Sequence, residues 1–303
     1  MTQTACESVP RVAQRSRALA YADLTKPKQT ALLMATGIGA YLMAATPHVP
    51  WATFAVGMTA MFAAVSGSTA LNMVFDSDID ARMARTADRP LPSGEISRAG
   101  ALVFGGALAL GGVATALSLD VLFGVVITLG LVFDVAIYTM WLKRRTPMSI
   151  LVGGISGGMP ALAGRALSTG AIDMVGLLLA AGVVLWIPAH ILTLASRHAA
   201  EYEAAGVPVW PSVYGEDRTR RVVAAATLGA VIVLLSAGVS AQVSPLAIAG
   251  LAAAGLAMLV LAVSAVVRPS ERMNWTLFKA ASAYMMFAFA CLTIGAVLGA
   301  GAL

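Results

Sequence analysis

The sequence predicts an all-α, polytopic membrane protein with nine transmembrane helices in a single domain. Of its 303 residues, 59% are hydrophobic and 12% are charged, whereas soluble domains average about 45–50% and about 25%. The apolar residues fall into long runs, close to the roughly 20 residues that a helix needs to cross a hydrocarbon core about 30 Å thick. The 29 glycines are typical of helices that pack closely within a bilayer.

Nine apolar segments define the predicted spans, and shorter polar segments separate them. We place the spans at residues 29–46, 51–75, 100–117, 121–142, 148–170, 173–196, 221–241, 244–266 and 277–300. Residues 1–28 are then a cytoplasmic N-terminal tail, and residues 29–303 form the transmembrane domain. The turns at 46–50, 118–120, 170–172 and 242–244 contain no lysine or arginine.

Lysine and arginine are concentrated in the tail and in the longer loops. The positive-inside rule places such segments in the cytoplasm. We therefore expect the N-terminus and these loops in the cytoplasm, the C-terminus outside, and a bacterial-type inner membrane as the location. The net charge of +5 comes from these loops, and it does not indicate a nucleic-acid partner.

An acidic stripe lies where the second predicted span runs into the following loop. Asn72, Asp76 and Asp80 stand at i, i+4 and i+8, so they share one face if the helix continues. Carboxylate oxygens together with phosphate oxygens suit Mg²⁺, a hard cation. The alternative interpretation is a solvated helix end whose carboxylates pair with Arg82 and Arg85.

Three arginines downstream complete this candidate site. Arg82, Arg85 and Arg89 provide planar donors that can hold a diphosphate group. An acidic metal site, a basic cluster and a membrane boundary together indicate a lipid diphosphate substrate.

Two further loops carry charges that are open to two interpretations. Glu201 could supply a carboxylate to a second Mg²⁺, or it could form an i, i+4 pair with Arg197. The loop at Lys143, Arg144 and Arg145 could bind diphosphate, or it could serve as a topogenic signal.

Polar residues inside spans usually face the bundle interior or a cavity. His190, in the sixth span, is a candidate contact for a substrate or a hydrogen-bonded packing residue. Asp134 and Tyr138 share a face of the fourth span at i, i+4. Arg165, inside the fifth span, is a candidate ion-pair partner for Asp134.

The chain resembles the UbiA superfamily of intramembrane prenyltransferases, and most closely its protohaem farnesyltransferase branch. The most specific part of the resemblance is the run from Asn72 to Ser97, which contains Arg-Thr-Ala-Asp-Arg-Pro-Leu. Further parts are Tyr138 to Pro147, Trp186 to His190, and Glu201 to Pro208.

The resemblance implies nine helices around a central cavity that opens towards the lipid. It also implies Mg²⁺-dependent transfer of a farnesyl group from farnesyl diphosphate to the vinyl group of haem B, giving haem O. Asp76 and Asp80 are then the principal metal ligands and catalytic residues, assisted by Asn72 and Glu201. The implied diphosphate ligands are Arg85, Arg89, Lys143 and Arg144, and the implied acceptor contacts are His190 and Tyr138.

The sequence also departs from that branch. Ala200 stands where an aspartate is usual, so the second metal site depends on Glu201. Alternative functions are a UbiA-type transferase with another aromatic or lipid acceptor, a terpene cyclase of the same family, and a transporter or assembly factor without catalysis.

Overall fold

The computed structural model describes residues 16–300, and all of its regular elements in that range are helices. The all-α fold class is thereby confirmed. The helices are α1 Arg17–Leu24, α2 Pro27–Ala45, α3 Trp51–Asp80, α4 Arg98–Leu119, α5 Val121–Leu142, α6 Ser149–Thr169, α7 Met174–Arg197, α8 Ala199–Ala204, α9 Trp210–Tyr214, α10 Glu216–Ser240, α11 Pro245–Val267 and α12 Glu271–Ala300. Residues 1–15 of the predicted tail lie outside the described residues.

Eight of the described helices are long and apolar enough to cross a membrane: α3, α4, α5, α6, α7, α10, α11 and α12. The remaining predicted span corresponds to α2, which has 19 residues. Its first turn contains Pro27, Lys28 and Gln29, and these polar residues lower its mean hydropathy. The nine predicted spans therefore all appear as long helices.

Neighbours in sequence are neighbours in space through most of the bundle. Helices α3 to α7 pack in succession, α7 packs on α10, and α10, α11 and α12 follow in order. Helix α2 contacts α12, α3 and α6, so it joins the end of this series to its beginning. The residues Pro27, Lys28 and Gln29, in the first turn of α2, are exposed.

Two adjacent glycines of α4 have opposite surroundings. A Cβ atom added to Gly112 would lie 2.5 Å from the backbone nitrogen of Ala64 and 2.7 Å from the carbonyl oxygen of Ala60, both on α3. A Cβ atom added to Gly111 would have no heavy atom within 4 Å. Helices α3 and α4 thus touch backbone to backbone, as small residues permit in membrane proteins.

The helices that carry the predicted site residues depart from the simple prediction in two ways. Helix α3 continues to Asp80, five residues beyond the predicted end of its span, so the acidic stripe is helical throughout. In α5 the segment Val132–Leu142 is π-helical, and in α7 so is Pro188–Leu192. Long π-helical segments are rare, and π-turns inside α-helices are frequent at functional sites.

The last part of the predicted tail is folded against the bundle. Ala20 and Leu24 of α1 are buried and cluster with Ala70 and Met73 of α3. This contact holds the turn between α1 and α2 next to the half of α3 that carries the acidic stripe.

We expect Gly112→Ala to lower the thermal stability of the detergent-purified protein, because the α3 backbone cannot yield to the new methyl group. Overpacking of this kind costs about 1–3 kcal/mol. Gly111→Ala is the matched control and should unfold at the wild-type temperature. Equal unfolding temperatures for both variants would contradict the backbone contact.

Candidate active site

The acidic stripe lies on the buried face of α3. Asn72, Asp76 and Asp80 are each 5% exposed. The side chain of Asp78, which lies off the stripe, is 46% exposed. A buried carboxylate requires a compensating partner, so the surroundings of the stripe determine what it can bind.

Each acid of the stripe is paired with a cation from outside α3. Lys143 donates from Nζ to Oδ2 of Asp76 at 2.5 Å, and it follows directly after α5. Arg89 donates from Nη1 to both carboxylate oxygens of Asp80, at 2.9 and 2.7 Å. The residues predicted to bind metal and those predicted to bind diphosphate are therefore in direct contact.

The outer part of the same helix end forms a separate, more exposed cluster. Arg144 binds both oxygens of Asp78, at 2.8 and 2.6 Å, and the carbonyl oxygen of Phe75 at 2.8 Å. Arg82 reaches Asp78 at 3.8 Å. The solvated-helix-end interpretation thus describes Asp78, whereas Asp76 and Asp80 belong to a buried site.

A hydrogen-bond network fixes the amide of Asn72. Its Nδ2 donates to Oδ2 of Asp134 at 2.8 Å, and its Oδ1 accepts from Oγ1 of Thr139 at 2.8 Å. Ser68 donates to the same oxygen of Asp134 at 2.5 Å. A carbonyl oxygen accepts two hydrogen bonds, so one acceptor position on Asn72 remains available for a further ligand.

The predicted ion pair between Asp134 and Arg165 is wrong. Asp134 instead accepts hydrogen bonds from Ser68 and Asn72. Arg165 pairs with Asp173 at 2.6 Å, the residue that also caps the first turn of α7 through the backbone N–H of Gly176. Arg165 pairs with Asp173 because the two residues are only eight positions apart, on either side of one short turn.

Asp76 also contains a buried oxygen without a partner. Oδ2 is bound by Lys143, but Oδ1 forms no hydrogen bond within the described chain. A native structure rarely leaves a buried carboxylate oxygen unsatisfied, and such an atom indicates a missing water or ion. Together with Oδ1 of Asn72 and the Asp80 carboxylate, it forms a set of oxygen donors suited to a hard divalent cation.

This donor set is small. Among residues 16–300, no three histidine, cysteine, aspartate or glutamate side chains converge as a metal-binding group. One or two carboxylates, completed by substrate phosphates and water, are the usual protein contribution to Mg²⁺. The stripe therefore fits a cation that shares its coordination with a substrate.

The surroundings of Lys143 favour its charged form. Burial alone would lower the pKa of this ammonium group, but the neighbouring Tyr138 and Asp76 groups raise the pKa above its ordinary value. Its Nζ lies 5.8 Å from the centre of the Tyr138 ring. Tyr138, a predicted acceptor contact, is consequently adjacent to a predicted diphosphate ligand.

Glu201, in α8, contacts the residue before its own helix and the loop after α3. Its Oε1 lies 2.7 Å from Nδ1 of His198, and its Oε2 accepts from the backbone N–H of Arg85 at 3.2 Å. The His198 hydrogen bond, followed by that of Arg85, lowers the pKa of the Glu201 carboxyl. Arg197 stacks on the ring of Trp275 at 4.4 Å, so the predicted Arg197–Glu201 pair is replaced by other contacts.

His190 is held in an aromatic stack between α7 and α12. Its ring lies parallel to Trp186 at 4.9 Å and to Phe278 at 4.6 Å between centroids, and its Nδ1 is 3.1 Å from Oγ of Ser282. Both ring faces are covered, as expected of a packing histidine. An acceptor could reach only the ring edge.

Sequence reasoning did not single out Ser68 and Thr139, and it offered Asp134 only a candidate ion pair with Arg165. Asp134 could have been weighted more heavily, because a carboxylate inside an apolar span usually has a functional or paired role. Its partners lie more than 60 residues away in the chain, and no spacing rule identifies them.

The model of the UbiA prenyltransferase family matches residues 32–290, which is most of the chain. The chain belongs to the UbiA prenyltransferase family. It is therefore an integral membrane protein and a prenyltransferase.

Several UbiA relatives are named protoheme IX farnesyltransferase. One from Korarchaeum cryptofilum is 41% identical over 212 residues, covering 70% of this chain and 71% of the relative. One from Thermofilum pendens is 40% identical over 246 residues, covering 81% and 86%. One from Desulforudis audaxviator is 37% identical over 287 residues, covering 93% and 90%.

Solved structures share the fold at low sequence identity. A structure described for digeranylgeranylglyceryl phosphate synthase has a TM-score of 0.78 at 18% identity and covers 94% of this chain and 100% of its own. A UbiA homologue from Archaeoglobus fulgidus, bound to GPP and Mg²⁺, has a TM-score of 0.71 at 16% identity and covers 90% and 99%.

We expect Lys143→Met to destabilise the protein, because it leaves the Asp76 carboxylate buried without its counter-ion. Removing one partner of a buried pair costs about 3–5 kcal/mol. The matched control is Arg82→Met, since the Arg82–Asp78 pair is exposed, at 59% and 46%, and such pairs contribute about 0–1 kcal/mol. Thermal unfolding in detergent measures both. A smaller loss for Lys143→Met than for Arg82→Met would contradict the assigned burial.

Proposed function

We propose that this protein transfers a farnesyl group from farnesyl diphosphate to the vinyl group of haem B, giving haem O. The observation that supports the diphosphate chemistry is the buried acidic stripe of α3, with its cationic partners and the unsatisfied Oδ1 of Asp76. The curated relatives at 37–41% identity support the choice of haem B and farnesyl diphosphate.

The site residues form two groups: one would bind a cation and the other would bind an anion. Asn72, Asp76 and Asp80 would hold Mg²⁺, with Glu201 of α8 as an additional carboxylate. When bound, Mg²⁺ would supply positive charge to the departing diphosphate. Asp134 and Thr139 act through Asn72, since their hydrogen bonds fix which end of its amide is free to accept a ligand.

The cations stabilise charge that develops on the substrate. Lys143 and Arg89 pair with the stripe in the structure, and Arg85 and Arg144 lie in the same loops. Their N–H groups provide donors to a diphosphate whose negative charge grows as the allylic C–O bond breaks. Placing donors where leaving-group charge accumulates lowers the barrier.

The apolar bundle protects the reacting carbon. The vinyl group's electron pair forms the new C–C bond to the farnesyl carbon, diphosphate leaves, and water adds to the remaining cation with loss of a proton. Exclusion of water until that step prevents simple hydrolysis of the prenyl donor. Tyr138, beside Lys143, and the edge of His190 are the acceptor contacts in this proposal.

The orientation of the protein in the membrane follows from the distribution of its lysine and arginine residues. Arg85, Arg89, Lys143 and Arg144 all lie where α3 and α5 end, and the positive-inside rule assigns such an end to the cytoplasm. The C-terminus of α12 is then outside, and the location is a bacterial-type inner membrane. The transmembrane domain comprises residues 29–303, preceded by the cytoplasmic tail.

We expect Asp76→Asn to abolish Mg²⁺-dependent farnesyl transfer, with a loss of at least about 100-fold, since a removed electrostatic contact at developing charge typically costs that much. The matched control is Asp78→Asn, which removes the same charge from the exposed face of the same helical turn and should retain most of the activity. Haem O formation by purified protein, with size-exclusion profiles as a check of folding, measures both. Full activity of Asp76→Asn would remove Asp76 from the mechanism.

We expect membranes containing the protein to convert farnesyl diphosphate into a prenylated product only when haem B is added. The reason is that the allylic cation needs an acceptor alkene inside the bundle. Mass spectrometry identifies the product, and the Asp76→Asn protein provides the background. An equal yield of the same product without haem B would reject haem as acceptor and favour a cyclase. A product with another aromatic or lipid acceptor would indicate a different UbiA-type transferase.

A further inference from the structure

Asp134 is a carboxylate inside the membrane-spanning helix α5 that has no cationic partner. Its Oδ2 accepts hydrogen bonds from Oγ of Ser68 at 2.5 Å and from Nδ2 of Asn72 at 2.8 Å, and both donors are neutral. Within residues 16–300, no lysine, arginine or histidine forms an ion pair with it. The acids near the end of α3, by contrast, have cationic partners. A carboxylate inside a span is costly unless it is paired or functional.

The second oxygen of Asp134 is open to the interior of the bundle. Oδ1 forms no hydrogen bond with any residue from 16 to 300, yet it is not enclosed by protein as Oδ1 of Asp76 is. Val132 and Met140, at 42% and 55% exposure, and Ala136 mark the lipid-facing side of α5. Asp134 is two residues from both Val132 and Ala136, about half a turn, so it faces away from the lipid.

The Asp134 carboxylate lies deeper in the bundle than the candidate metal ligands. Ser68, Asn72 and Asp76 follow one another on α3 at intervals of four residues, about 6 Å along the helix axis. Because Asp134 binds Ser68 and Asn72, its carboxylate lies about 6–12 Å further from the charged loops than Asp76 does. A diphosphate held at Asp76 and Lys143 would direct its allylic carbon to this side, since the isoprenoid chain extends into the apolar part of the bundle.

We propose that Asp134 is a further catalytic residue, whose negative charge stabilises the allylic cation formed from the prenyl diphosphate. The inference rests on the proposed function. When the allylic C–O bond breaks, its electron pair leaves with diphosphate and the carbon becomes positive; the vinyl electron pair then forms the C–C bond. Asp134 neither forms a bond nor takes a proton in this step. Its charge, held in place by Ser68 and Asn72, faces the carbon where positive charge develops.

The order of charges along the site favours this role. Lys143 and Arg89 lie on the side of the leaving diphosphate, and the unpaired carboxylate of Asp134 lies on the side of the carbon. Cations therefore attract the negative product of bond cleavage, and an anion attracts the positive one. Such an arrangement acts strongly where water is excluded, because the low local dielectric weakens the interaction of charges less than water does.

The test measures the binding of a stable analogue of the cation to the full-length protein in detergent at pH 7. N,N-dimethylfarnesylamine carries an ammonium group near the reacting carbon, and farnesol is its neutral counterpart. Calorimetry with Mg²⁺ and inorganic pyrophosphate present gives both affinities. Asp134→Asn removes the charge but keeps an oxygen that can accept from Ser68 and Asn72. Asp120→Asn is the matched control, because Asp120 caps the outer end of the same helix through the N–H of Phe123 and asparagine caps as well.

We expect wild type and Asp120→Asn to bind the ammonium analogue at least about tenfold more tightly than farnesol, within the range for a contact with a charged group. This preference should fall about tenfold in Asp134→Asn. Its kcat for farnesyl transfer should fall about 100-fold, with KM for farnesyl diphosphate unchanged. Its affinity for Mg²⁺ and pyrophosphate should stay at the wild-type value, whereas a role only through Asn72 would weaken that affinity.

An unchanged preference for the ammonium analogue in Asp134→Asn would overturn the inference. Should Asp134→Asn fail to fold, Asp134→Ser, which is also neutral and can form hydrogen bonds, takes its place in the same measurements. An Asp134-dependent preference in a protein that does not farnesylate haem would support the inference while rejecting the proposed function. Haem farnesylation by a protein whose preference is the same in Asp134→Asn would do the reverse.

Discussion

The arrangement of the site depends on the neutralisation of buried carboxylates on α3. Asp76 and Asp80 face the interior of an apolar bundle, where an isolated charge is strongly unfavourable. Their partners, Lys143 and Arg89, come from the end of α5 and from the loop after α3. Burial of the acids therefore determines where these two segments lie. The same ion pairs bring residues that we propose as metal ligands into contact with residues that we propose as diphosphate ligands.

This arrangement also explains how a charged reaction can take place beside lipid. The free protein contains paired charges, and a diphosphate with its cation would replace one set of ion pairs by another. The exchange avoids exposing bare charge to the hydrocarbon, where it would be most costly. Asn72, fixed by Asp134 and Thr139, contributes an oriented neutral group to the same site.

The sequence predicted the helices well, because each span must satisfy the same requirement for length and apolarity. The shared face of Asn72, Asp76 and Asp80 was also predictable, since helical spacing alone determines it. The partners of these residues were not predictable. Asp134 and Lys143 reach α3 only through packing between α3 and α5, and the preference of Arg165 for Asp173 depends on the geometry of one turn. The π-helical segments likewise show no distinct sequence pattern.

The π-helical end of α5 has a consequence for how the family can vary. In this segment the N–H of Lys143 bonds to the carbonyl of Tyr138, five residues earlier, so each wide turn accommodates one residue more than an α-turn. Because a wide turn that loses one residue becomes an α-turn, a single-residue deletion between positions 132 and 142 is absorbed within the segment, and Lys143 and Arg144 keep their orientation towards α3. An α-helical end would instead rotate both residues away from α3 when it lost a residue.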